Sequence, residues 1–118
     1  MTRHWEIAAR LPEDSSTRCV ILRTGNVLSP EDGLLRNYYI RSKLFLGGPL
    51  RPGGANPLNW IHVEDMIGII EHAIDNCEVS GVLNCVAPEL STHMDLATHV
   101  AARTRRPNWY SPSNTFLQ

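Results

Sequence analysis

The run Cys19-Val20-Ile21-Leu22, set between Arg18 and Arg23, constrains this chain more than any other feature. Four apolar residues with no alternation are too few for a buried helix. They read as a strand covered on both faces, the pattern of a parallel sheet. Such a strand asks for neighbours on both sides and helices above and below it. In 118 residues that leaves room for one modest domain and not for two.

The flanking sequence supplies candidates. Residues 3–11 predict a short helix, with Trp5, Ala8, Ala9 and Leu11 near helical spacing and Pro12 as its stop. Thr24-Gly25-Asn26 breaks the first strand, Val27-Leu28 follows, and Ser29 to Gly33 form a turn cluster. A helix is expected over 34–45, with Leu34, Leu35, Tyr38, Tyr39 and Phe45 on a loose apolar face. Gly47-Gly48-Pro49 and Pro52-Gly53-Gly54 then frame a thirteen-residue loop, 47–59. Unstructured loops of that length are uncommon and tend to carry function.

Trp60 to Val63 predicts a second strand. Glu64-Asp65 opens the firmest helix, to about residue 76, with Met66, Ile69, Ile70, Ala73 and Ile74 as its stripe. The acidic pair suits the positive end of the helix dipole. Gly81 to Ala87 is a third strand, ended by Pro88 and expected beside the strand at 18–24. Ser91 or Thr92 caps a last helix to about Arg103, with Leu96, Val100 and Ala101 on its inner face. Residues 107–118 hold Pro107 and Pro112 and show no period. The alternation predicts an α/β fold, and three short strands predict a piece of a larger sheet.

Chemistry is harder to find. Lys plus Arg is 11 and Asp plus Glu is 12, which gives no general electrostatic pull toward nucleic acid or an anionic membrane. No apolar run is long enough to span a bilayer. Cys19, Cys77 and Cys85 are an odd number at wide spacings, which points to an intracellular, reducing compartment rather than a disulfide framework. Neither G-x-G-x-x-G nor G-x-x-x-x-G-K-[ST] occurs, and no G-x-S-x-G nucleophile turn occurs. His62, Glu64 and Asp65 are clustered, but a strand followed by a helix start scatters them, and His93 and His99 are out of helical register. No metal site is expected.

Three segments, taken together, carry a family resemblance. They are Val20 to Leu28, Leu46-Gly47-Gly48-Pro49-Leu50, and Trp60-Ile61-His62-Val63-Glu64-Asp65-Met66. His4 to Arg10 and Gly81 to Pro88 extend it at both ends. In order and spacing they resemble the epimerase-like branch of the extended short-chain dehydrogenase/reductase superfamily, in the group called epimerase family protein and sometimes labelled a SulA-type cell-division inhibitor.

The resemblance implies a partial Rossmann-type, doubly wound parallel sheet plus part of a smaller substrate domain, and NADP(H) as cofactor. Residues 1–118 would then be a fragment of one NAD(P)-binding epimerase-like domain. The glycine-rich N-terminal half and the extreme C-terminal part would be lacking, as in a truncated isoform. Thr24, Gly25, Asn26 and Val27 would pass the nicotinamide ring, where glycine allows close approach. Gly47, Gly48 and Pro49, with Trp60 and His62, would border the cleft of a small-molecule substrate of unknown identity. His62 would either donate to that substrate or hold the helix start by a structural hydrogen bond.

The superfamily's catalytic pair is Tyr-x-x-x-Lys. If Glu6 is the glutamate that follows the lysine by four residues, Thr2 stands at the lysine position and the tyrosine precedes Met1. Phe45 stands where relatives often have glycine, and Arg51 to Asn56 replaces a shorter turn. Two functions follow from the resemblance. One is a fragment of an NADP(H)-dependent oxidoreductase or epimerase, inactive alone. The other is a non-catalytic dinucleotide-binding or regulatory protein on the same scaffold. Oligomeric state is left open.

Overall fold

The computed structural model describes residues 2–9, 11–12, 15–50 and 54–109. The first strand, β1, is Val20–Thr24, and after one residue the chain resumes as β2, Asn26–Leu28. These two short strands are one extended stretch that changes partner at Gly25. β1 pairs in parallel with β5, Gly81–Cys85, in the register Val20 to Gly81 through Thr24 to Cys85. β2 pairs in parallel with β4, Trp60–His62, from Asn26 with Trp60 to Leu28 with His62. The Ala87 amide donates to the Trp60 carbonyl at 2.6 Å, so β4 lies between β2 and the chain leaving β5. The sheet forks at the carboxyl ends of β1 and β5.

Helices approach β1 from both sides but do not bury it as its apolar run predicts. Val20, Ile21 and Leu22 are half-buried and Arg23 and Thr24 exposed, because only one strand pairs with it among the described residues. α1, Thr2–Ala8, reaches it through Glu6, whose carboxylate accepts from the Arg23 guanidinium at 2.7 and 2.8 Å. α3, Val63–Asp75, covers the Val20 and Leu22 side. Arg18 fastens the end of α3 by donating to the carbonyls of Ala73 at 2.5 Å, Val79 at 2.8 Å and Ile74 at 3.3 Å. A cation at these last carbonyls also answers the negative end of the helix dipole.

The apolar stripe of α3 is only partly inward. Ala73 is buried, but Ile70 and Ile74 are exposed, as is Ile67. A two-stranded face is too narrow to cover an apolar band of that width. The first helix is also shorter than the expected 3–11, ending at Ala8 with Leu11 outside it.

The second cluster packs α2, Gly33–Lys43, on α4, His93–Thr104. Tyr38, Ala97 and Val100 form its centre, with Leu34, Leu35, Leu50 and Leu96 around them. Thr92 caps α4 in a full capping box with Asp95. The stretch 47–59 is not structureless: Pro57–Leu58 forms β3 and pairs antiparallel with β6, Ser91–Thr92. A two-residue strand that begins on a proline carries no readable alternation, which is why the sequence hides it. Arg51, Pro52 and Gly53 lie outside the described residues, as does the run 110–118. Among the described residues, no helix is long and apolar enough to cross a membrane.

Candidate functional site

The fork of the sheet brings Thr24–Val27 beside Trp60 and His62 through the β2–β4 pairing. Gly25 is required there by the protein itself. A β-carbon on it would meet the Asn59 carbonyl oxygen at 2.8 Å and Val86 Cγ1 at 3.1 Å. Two backbone donors of this segment are already engaged. The Gly25 N–H donates to the Cys85 carbonyl at 3.2 Å and the Asn26 N–H to the Asn59 carbonyl at 2.8 Å. Neither of these two donors is therefore open to a ligand.

His62 is the N-cap of α3, and its Nδ1 accepts from the Glu64 N–H at 3.3 Å. Of its two expected roles the structural hydrogen bond is formed. With Nδ1 as acceptor, the neutral ring carries its proton on Nε2, and the side chain is partly open to solvent.

Gly47, Gly48 and Pro49 sit with the other cluster. A β-carbon on Gly47 would lie 2.5 Å from the Pro107 carbonyl oxygen, so this glycine lets the chain after α2 meet the chain after α4. Pro49 is fully buried, and the Leu50 N–H donates to the Tyr38 hydroxyl at 3.1 Å. Tyr38 also meets His93 Nδ1 at 3.0 Å.

A cavity of about 270 Å3 joins the two clusters. Leu28, Leu58 and Leu96 supply its apolar wall, and Trp60 lies beside Ser91, whose Oγ accepts the indole N–H at 3.2 Å. Glu89, Asp95 and His99 complete it. Asp95 is held below the ordinary aspartate range, first by the Thr92 hydroxyl and then by the Thr92 backbone N–H. A second cavity, about 370 Å3 and nearly all apolar, adjoins it through Leu96 and His99. Sequence reasoning missed Glu89, Ser91 and His99 because only the antiparallel β3–β6 pair carries them to Trp60.

The sequence also holds the spacing Tyr39-x-x-x-Lys43. It lies on α2, and the Lys43 ammonium sits 5.4 Å from the Tyr39 ring centroid. That places the charge over the ring face, a cation–π contact on a helix surface. Among the described residues no group of three or more His, Cys, Asp or Glu stands together as a metal site.

No protein-family profile matches the chain. Human epimerase family protein SDR39U1 is 42% identical over 102 residues, covering 86% of this chain and 34% of that protein. The Arabidopsis thaliana chloroplastic homologue is 32% identical over 107 residues, covering 91% of this chain and 30% of its own. The chain belongs to the epimerase family of the extended short-chain dehydrogenase/reductases. It spans about a third of the length of these epimerase family relatives.

The likeness extends to three dimensions. The crystal structure of human SDR39U1 isoform 2, determined with NADPH, matches with a TM-score of 0.86 at 38% identity over 95% of this chain and 37% of that one. A nucleoside-diphosphate sugar epimerase from Corynebacterium glutamicum matches with a TM-score of 0.65 at 26% identity, over 93% of this chain and 27% of its own. The α/β reading and the parallel, Rossmann-like pairing of β1 with β5 are thus features this epimerase family chain has in common with its relatives.

Proposed function

We propose that this chain carries the nicotinamide side and the substrate side of an NADP(H)-dependent oxidoreductase or epimerase. What supports the reading is the match, across 95% of these residues, to a human relative determined with NADPH. In this reading residues 1–118 are part of one NAD(P)-binding epimerase-like domain, whose glycine-rich half and last substrate-domain elements lie outside them. Thr24, Gly25, Asn26 and Val27 border the nicotinamide, and Gly47, Gly48, Pro49, Trp60 and His62 border the substrate.

The 118 residues alone bind NADPH too weakly to act. Dinucleotide affinity in such folds rests on a pyrophosphate held by backbone N–H groups behind a glycine-rich turn. The sequence has no G-x-G-x-x-G. A few backbone hydrogen bonds of roughly 0.5–1.5 kcal/mol each do not offset an association cost of about 4–15 kcal/mol. Two amides of the segment are also already used.

The test is a pair of titrations. The chain alone should show no saturable fluorescence change and no thermal shift with NADPH at micromolar concentration. The same residues joined to the glycine-rich half of the human relative should bind. A folded chimera that binds nothing overturns the reading, and tight binding by the chain alone overturns the assignment of the missing half. A second reading is a non-catalytic dinucleotide-binding or regulatory protein on the same scaffold, which the residue at the lysine position, Thr2, favours. A chimera that binds NADPH but never oxidises it would favour that reading.

A further inference from the structure

We infer that the cavity beside Trp60 takes a small ring-bearing amine in its protonated form and refuses phosphate. The inference rests on the proposed function only in calling that ligand a substrate; the site itself is read from its wall. At about 270 Å3 the cavity suits a ligand smaller than a nucleotide. Its aromatic wall is fixed, because the Trp60 indole N–H is committed to Ser91 Oγ at 3.2 Å. A flat ring fits against such a wall, and a nearby cation gains from its face.

Two acidic residues and no Lys or Arg belong to the lining of the cavity. They are Glu89 and Asp95. His99 Nδ1 lies 2.8 Å from the Asp95 carbonyl oxygen. A carbonyl only accepts, so Nδ1 donates there, and the remaining ring nitrogen is Nε2. Ser91 Oγ, having accepted from Trp60, keeps one hydroxyl proton to give.

The start of α4 would ordinarily attract an anion. Here Asp95 Oδ2 already accepts from the Thr92 N–H at 2.8 Å and the Thr92 hydroxyl at 2.7 Å. The dipole is answered from within, and a phosphate would meet two acidic residues of the lining. Arg103 belongs to the lining of the adjoining apolar cavity and not to this one.

The experiment follows the Trp60 indole N–H resonance of the full 118-residue chain, assigned with Trp60→Phe. Benzylamine, benzyl alcohol and phenyl phosphate are the probes. Benzylamine should give a saturable shift, benzyl alcohol should bind about tenfold more weakly, and phenyl phosphate should give none. Glu89→Gln, an exposed loop change that leaves the capping box intact, should weaken benzylamine about tenfold and leave benzyl alcohol unchanged.

The inference is overturned if phenyl phosphate shifts the resonance as strongly as benzylamine. Equal binding of the alcohol, indifference to Glu89→Gln, or no shift with benzylamine overturns it as well. No dinucleotide enters this assay. An amine site can therefore fail while the NADPH chimera succeeds, and the reverse.

Discussion

The carbonyl oxygen of Asn59 lies 2.8 Å from the point where a β-carbon on Gly25 would stand. That carbonyl is not free to retreat, since the Asn26 N–H holds it at 2.8 Å and the Asn26 side-chain amide at 3.0 Å. Gly25→Ala must therefore push β4 away from β2. We expect a cost of about 1–3 kcal/mol, read as a fall of several degrees in Tm. Gly68 is the internal control: on α3 a β-carbon there meets nothing within 4 Å. Gly68→Ala should raise stability by roughly 0.5–1 kcal/mol. If both substitutions move Tm the same way, the close approach at the fork is misread.

Phe45 occupies a position built for glycine. It follows α2 with a φ of 60°. The Phe45 N–H donates to Ser42 and the Leu46 N–H to Arg41, at 3.1 and 2.9 Å. This is the Schellman arrangement, whose left-handed residue is usually glycine. The Arg106 guanidinium lies 4.2 Å from the centroid of the Phe45 ring, a contact of about 0.5–1 kcal/mol at an exposed site. Left-handed strain of about 1–2 kcal/mol opposes it. Phe45→Ala loses the ring and keeps the strain, whereas Phe45→Gly loses both. The glycine variant should melt higher than the alanine variant by the equivalent of about 1 kcal/mol. Equal melts would show that the strain is not there.

The capping box at α4 should make itself felt in acid. Asp95 is held below the ordinary aspartate value by Thr92. In the window below roughly pH 4 the unfolded carboxyl takes up its proton before the folded one does. The group's stabilising share is present above that window and is lost as pH falls through the folded value. Thr92→Ala removes the cap and should cost about 1 kcal/mol near neutral pH. The gap between wild type and variant should narrow in melts taken well below pH 4. A gap that widens on acidification has the wrong sign for this account.

The sheet was legible where apolar, β-branched runs mark it. The strand at 19–22 and the one expected over Gly81 to Ala87, which ends at Cys85, pair as expected, although β1 is only half-buried and most of β5 is exposed. The cap of α4 was legible to within two residues, Ser91 or Thr92, because its chemistry is local, and the structure takes Thr92. β3 and β6 were not, since two-residue strands carry no period and exist through one another. The candidate cavity suffered the same fate: Trp60 and Ser91 are 31 residues apart, and no spacing rule joins them. The α3 stripe misled for the opposite reason. Periodicity names an apolar face, but only the width of the neighbouring sheet decides that Ala73 is covered and Ile74 is not.

His62 can be divided experimentally into its two roles. Its Nδ1 accepts from the Glu64 N–H at 3.3 Å, which ends the need for one orphan donor at the start of α3. Asparagine is among the best residues for that duty, and alanine cannot perform it. His62→Ala should therefore lower stability by about 1 kcal/mol, while His62→Asn should hold it within a few tenths. The cap also fixes the tautomer of the neutral ring, leaving Nε2–H as its one remaining donor. Asparagine keeps the cap and loses that donor. In a chimera that binds NADPH, His62→Asn should then leave Tm and dinucleotide affinity alone and weaken whatever ligand meets Nε2. Should His62→Ala and His62→Asn destabilise equally, the ring is packing rather than capping, and the tautomer that makes Nε2 the donor fails with it.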